Sequence, residues 1–93
     1  MTNIRDNVRK VIEESINEIL ELNGEPPVSF TEATCPIRDI GHFDSLSSLE
    51  ATASICSRLN IEWSDVSLMI CPQRNISLNI GEITERVSKL VQS

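Results

Sequence analysis

Residues 44–60 read "DSLSSLEATASICSRLN", and the fold turns on whether this stretch is a helix and on what its first residues do. Asp44 is a good N-cap, because its carboxylate can accept from the unpaired backbone N–H groups of a first helical turn. Behind it Leu46, Leu49, Ala53, Cys56 and Leu59 recur at spacings of three and four. That pattern predicts a helix over about 45–59 with these residues on one face and Ile55 widening it. Ser45 directly after the cap has two readings. Serine competes for caps and first-turn positions, so spacing alone supports a bland role. Position supports a chemical one: as the first helical residue it holds its hydroxyl outward, and a phosphate ester there would sit at the positive end of the helix dipole. Leu46 would then pack beneath the attachment point. Nucleophilic catalysis by Ser45 would need a base, and the sole histidine, His42, lies on the preceding loop with no oxyanion loop evident.

On the N-terminal side, Ile4, Val8, Val11, Ile12, Ile16, Ile19, Leu20 and Leu22 form a broad stripe that predicts a first helix over about 3–22. Thr2 or Asn3 suits its start; "NGEPP" ends it, with Gly24 fitted to a left-handed position and Pro26 blocking continuation. Its charges oppose the dipole, since Arg5, Arg9 and Lys10 come early and Glu18 and Glu21 late. Packing must therefore sustain it. Residues 23–43 read as a long connection interrupted by Pro26, Pro27 and Pro36, tied down by Phe30, Ile37 and Ile40 and with room for a short helical turn. On the C-terminal side, Ser64 or Asp65 would cap a short third helix over about 65–71 carrying Val66, Leu68, Met69 and Ile70 and stopped by Pro72. Asn79 followed by Glu82 resembles a capping box for a last helix over about 80–91, buried through Ile83, Val87, Leu90 and Val91. No strand period or hairpin dipeptide is evident.

Ninety-three residues make one domain, and hydrophobic content of 40% with 24% charged residues fits a globular chain. Only Phe30, Phe43 and Trp63 are aromatic, so the core is expected to be aliphatic; Phe43, Trp63 and Met69 read as packing elements. Fourteen acids against eight bases give a net charge of −6, which disfavours nucleic acid and favours partners with basic patches. Cys35, Cys56 and Cys71 form no Cys-x-x-Cys pair and are odd in number, so free thiols are expected rather than a disulfide framework or metal site, with Cys56 a small buried hydrophobe. The polar, charged N-terminus and the lack of an apolar run near ~18 residues point to a cytoplasmic chain that spans no membrane. The expected architecture is all-α: a small antiparallel four-helix bundle with a long first connection and a short third helix, the whole of 1–93 as one unit.

The stretch "DIGHFDSLSSLEATASICSRLNIE" resembles the modification-site helix of acyl and peptidyl carrier proteins, in which Asp-Ser-Leu opens the second of four helices. Gly41 just upstream, Glu50 five residues after the serine, and the closing Leu59 with "NIE" extend the match, and "NIGEITERV" resembles the start of the family's final helix. The resemblance implies a 4′-phosphopantetheine arm esterified to Ser45, transferred from coenzyme A by a separate phosphopantetheinyl transferase. Asp44 would engage that transferase, Leu46 would flank the arm, and Leu46 and Leu49 would stand at the exposed edge of the helix. Phe43 and Trp63, read first as packing elements, would alternatively touch the cargo. Met69 with Ile70, read first as core, would alternatively line a space between helices for an acyl chain. Asp39, Leu49 and Glu50 would meet partner enzymes, namely an acyl- or aminoacyl-loading ligase or transferase and downstream synthases. The chain itself would be no enzyme, would use no metal and would act as a monomer. Residues 39–65 hold five acids (Asp39, Asp44, Glu50, Glu62, Asp65) against the single base Arg58, a balance suited to steering brief encounters. The sparse acids of the second helix imply a specialised fatty-acid, polyketide or nonribosomal-type pathway. A different class, a helical adaptor without prosthetic group, would need an exposed apolar groove and no role for Ser45.

Overall fold

The apolar stripe of the first segment folds as a helix and is buried along its middle, while its end residues Ile4 and Leu22 are exposed. In the computed structural model, which describes residues 4–41, 43–63, 67–71 and 76–92, helix α1 spans Ile4–Leu22 and buries Val8, Ile12, Ile16, Ile19 and Leu20. The proposed caps Thr2 and Asn3, the loop His42, the segment Ser64–Val66 and Pro72 lie outside the described residues. Gly24 ends α1 at φ 79°, with the Gly24 N–H donating to the Glu21 carbonyl at 3.0 Å and the Glu25 N–H to the Leu20 carbonyl at 2.8 Å. This pairing is a Schellman motif, which only a residue without a Cβ enters freely. The adverse charges find tertiary partners. Arg5 reaches Glu85 at 2.6 Å and Glu32 at 3.3 Å, while Glu14 and Glu18 both face Arg58. At such exposed sites each pair is worth about 1 kcal/mol at most, so burial of the stripe, at ~1.5–3 kcal/mol per aliphatic side chain, decides the helix.

The long connection is pinned rather than loose. Asn17 brackets Val28, accepting its N–H at 2.9 Å and donating to its carbonyl at 3.3 Å, and Arg9 donates to the Phe30 carbonyl. A single helical turn, α2 (Pro36–Asp39), follows, with Pro36 at a first-turn position where its missing N–H costs nothing. Helix α3 then spans Ser45–Leu59 and ends at Asn60, left-handed at φ 55°, with the Ile61 N–H returning to the Cys56 carbonyl. Helix α4 (Ile80–Gln92) closes the chain and buries Ile80, Ile83 and Val87. Its capping box forms as the sequence predicts: the Glu82 N–H donates to Asn79 Oδ1 at 2.8 Å and the Asn79 N–H to Glu82 Oε1 at 3.0 Å. Helix α1 packs against both α3 and α4, and the shared core also takes in Phe43, Leu68 and Met69 from the connections.

Two expectations are corrected. No helix occupies the described part of 65–71. A turn at Leu68–Met69 leads into β1 (Ile70–Cys71), which pairs antiparallel with β2 (Ile76–Ser77) in the register Ile70↔Ser77 and Cys71↔Ile76. The reason is where the backbone groups go. The Leu68 N–H donates to Thr52 Oγ1 and the Met69 N–H to Ser67 Oγ, while Arg86 donates to the Leu68 and Ile70 carbonyls at 3.2 and 2.9 Å. Side chains of α3 and α4 thus satisfy groups a helix would have paired internally. The chain is mostly helical, with this short ladder where the third helix was expected.

The second correction concerns α3. Its buried residues are Ser47, Ser48, Ala51, Thr52 and Ile55. None of the apolar face Leu46, Leu49, Ala53, Cys56 and Leu59 is buried, and Leu46 and Leu49 stand at the exposed edge where the carrier resemblance puts them. Leu46 is 66% exposed and Leu49 40%, Ala53 is exposed, and Cys56 and Leu59 are only half-buried. Ser48, Ala51, Thr52 and Ile55 also follow the spacing of three and four, so periodicity admits both faces. Small side chains win the inward side because their hydroxyls find partners there.

Candidate functional site

The start of α3 is built by Asp44. With extended backbone (φ −100°, ψ −170°) it serves as N-cap, and its Oδ1 accepts the Ser47 N–H at 2.9 Å while its carbonyl accepts the Ser48 N–H at 2.9 Å. The Ser47 N–H, ahead of the other groups around it, holds the Asp44 carboxyl below the usual carboxylate range, so the residue is anionic at neutral pH. Phe43, immediately before the cap, is buried in the core and fixes the incoming chain. Ser45 is the first residue of α3 and is exposed. Its side chain thus projects from a rigid element between an ionised cap and the exposed Leu46. Leu46 does not pack beneath it, contrary to expectation.

The other expected site residues divide. Leu49 and Glu50 lie on the exposed side of α3, within its next turn. Asp39 is committed locally: its Oδ2 accepts the Cys35 N–H at 2.8 Å and its Oδ1 faces Arg38 Nε at 3.0 Å. Those two partners, Arg38 first, hold its carboxyl low, and Arg38 offsets its charge. Arg58, counted among the charges near Ser45, turns instead towards Glu14 and Glu18 on α1. Asp65 lies outside the described residues, and so does His42, the only base a hydrolytic reading of Ser45 had.

Residues that the apolar pattern missed lie directly under Ser45. Ser48 Oγ donates to the Ser45 carbonyl at 2.7 Å, Ser67 Oγ donates to Ser48 Oγ at 2.9 Å, and the Met69 N–H donates to Ser67 Oγ at 3.0 Å. Beside this relay the Leu68 N–H donates to Thr52 Oγ1 at 3.1 Å, and Thr52 Oγ1 donates to the Ser48 carbonyl at 2.7 Å. Arg86 holds the same segment from α4 and stacks over Trp63, 5.1 Å from the ring centroid. The visible signal was the run of hydroxyl residues at helical spacing, which a search for apolar residues passes over.

Two of the three thiols are poor nucleophiles: Cys35 is buried, and burial pushes the Cys56 thiol up, away from the thiolate. An open groove of about 880 Å³ between the 32–33 turn and α4 is walled by Arg5, Glu32, Glu82, Glu85 and Lys89 and, among the described residues, is lined by no hydroxyl, thiol or imidazole. Among the described residues no helix is long and apolar enough to cross a membrane. Comparison with family models, with curated proteins and with solved structures finds no match to this chain.

Proposed function

We propose that the chain is a discrete acyl or aminoacyl carrier, with Ser45 as the attachment point of a 4′-phosphopantetheine arm. The single observation that carries this reading is an exposed serine at the first position of a long helix, directly after an ionised N-cap. The residues fit such a group. The Asp44 carboxylate is engaged by the Ser47 N–H, and the open helix terminus tolerates a phosphodiester. The Ser45 oxygen would form the phosphoester as the pyrophosphate bond of coenzyme A breaks, adenosine 3′,5′-bisphosphate leaving and the serine proton passing to the transferase. When bound, the arm supplies a thiol that holds the cargo as a thioester. Asp44 marks the site for the transferase through its charge. Leu46 and Leu49 give loading and synthase enzymes an apolar foothold, and Glu50 steers them. The fold is read as the carrier bundle with its third helix replaced by the 67–71 turn and ladder. The carrier makes no bonds itself.

Incubation with coenzyme A and a promiscuous phosphopantetheinyl transferase should raise the intact mass by one arm, and Ser45→Ala should abolish the addition. An unchanged mass, with a transferase active on other carriers, would refute the proposal. The exposed Leu46 and Leu49 also suit a helical adaptor without prosthetic group. Under that reading, partner capture survives Ser45→Ala and needs no arm.

A further inference from the structure

Among the described residues, a cargo tethered at Ser45 can run outward past Leu46 and Leu49 or inward between α3 and the 67–69 turn. The inward route is closed by chemistry as well as by packing. Ser48, Thr52 and Ser67 are buried, and each of their hydroxyls both donates and accepts, giving two relays from the turn into α3. That closure is not a general property of this interior, since the buried hydroxyls of Ser15 and Ser88 have no hydrogen-bond partner among the described residues. Leu68 and Met69, both fully buried, fill the space behind the relays. An alkyl chain entering here would separate Ser67 from Ser48 and the Leu68 N–H from Thr52. It would leave those groups buried against methylenes that cannot replace either bond. The grooves at Arg5 and Glu85, at Glu14 and Arg58, and at Leu59 and Leu90 lie elsewhere, their linings including no residue between 40 and 57.

We propose that the hydroxyl relays of Ser48, Thr52 and Ser67 form a wall that excludes alkyl chains from the interior. The cargo on Ser45 is then a short or polar acyl or aminoacyl group held outside the helices. This rests on the carrier reading and adds the class of cargo: a long alkyl chain left in water gains nothing from the protein, whereas a short or polar group needs no shelter.

The test loads acetyl, hexanoyl and decanoyl arms onto the full chain from the matching acyl-coenzyme A with a promiscuous transferase. Thermal midpoints and amide chemical shifts are then compared. All three forms are expected to melt within about 2 °C of one another, with shifts confined to the 45–50 surface and none at Leu68, Met69 or Ile55. A midpoint that climbs with chain length by ~4 °C or more, the response of a domain this size to a substantial added interaction, would overturn the wall. So would shifts at the buried residues. In Ser48→Ala/Thr52→Val, read by the same shifts, a chain-length dependence should appear; its absence there would remove the assignment to these hydroxyls. If no arm is added to the wild-type chain, the carrier reading fails. If arms are added and decanoyl is sheltered, only the wall fails.

Discussion

The two long helices that follow the loop begin with similar local signatures and end up in opposite circumstances. At α4 every early N–H is covered. Ile80 and Gly81 donate to the Thr34 and Glu32 carbonyls at 2.8 and 3.0 Å, and Glu82 and Ile83 donate to the Asn79 side chain and carbonyl. The loop lies so close that a Cβ on Gly81 would stand 3.4 Å from the Glu32 Cβ. At α3 the cap is the Asp44 side chain, and Asp44, Ser45 and Leu46 are all exposed. The inward faces differ in their apolar share: α4 buries Ile80, Ile83 and Val87 beside Thr84 and Ser88, whereas α3 buries Ile55 and Ala51 beside Ser47, Ser48 and Thr52 and turns two leucines outward. One terminus is sealed for stability, the other left accessible. A cap residue in a sequence does not say which.

Substitutions can break or sharpen that contrast. The largest effect is expected in the sealed helix, where Ile83→Ala removes a fully buried side chain and should lower unfolding stability by about 2–5 kcal/mol in urea titrations. A loss under 1 kcal/mol would mean that α4 is not the anchored partner. Asn79→Ala, which breaks the capping box, should cost about 1 kcal/mol, read as a fall in the thermal midpoint. No change would show that the loop carbonyls suffice. Leu46→Ala should move stability by no more than ~0.5 kcal/mol, because the side chain faces solvent; a larger loss would place it in the core.

The smallest effect should come from the open cap. Because the folded state lowers the Asp44 carboxyl, its contribution is fully present above the ordinary carboxylate range and is lost as the pH falls through the lowered value. Asp39 adds in the same direction. Urea midpoints of wild type and Asp44→Asn should therefore differ at neutral pH and converge in acid. A gap that widens on acidification would reverse the sign and discard the assignment.

Much of this was legible in the residues. The α1 stripe, the Gly24 terminus, the Asp44 cap and the Asn79–Glu82 box are local patterns whose partners lie within a few positions, and each forms as the spacing predicts. The misses share another character. Leu68 and Met69 carry helix-like apolar spacing, yet their backbone groups are claimed by Thr52, Ser67 and Arg86, up to 18 residues away. In α3, two faces satisfied the same period, and the choice fell to hydroxyls whose partners sit on the 67–69 turn.

The sequence by itself determined where the long helices run and which residue caps α3 and α4, because caps, terminators and apolar periods act over a single turn. Only the tertiary structure decided which side of α3 faces inward, what replaced the expected third helix, and that the serine after Asp44 stands in solvent. Those outcomes depend on hydrogen bonds and packing between segments far apart in the chain, whose free energies no local window contains.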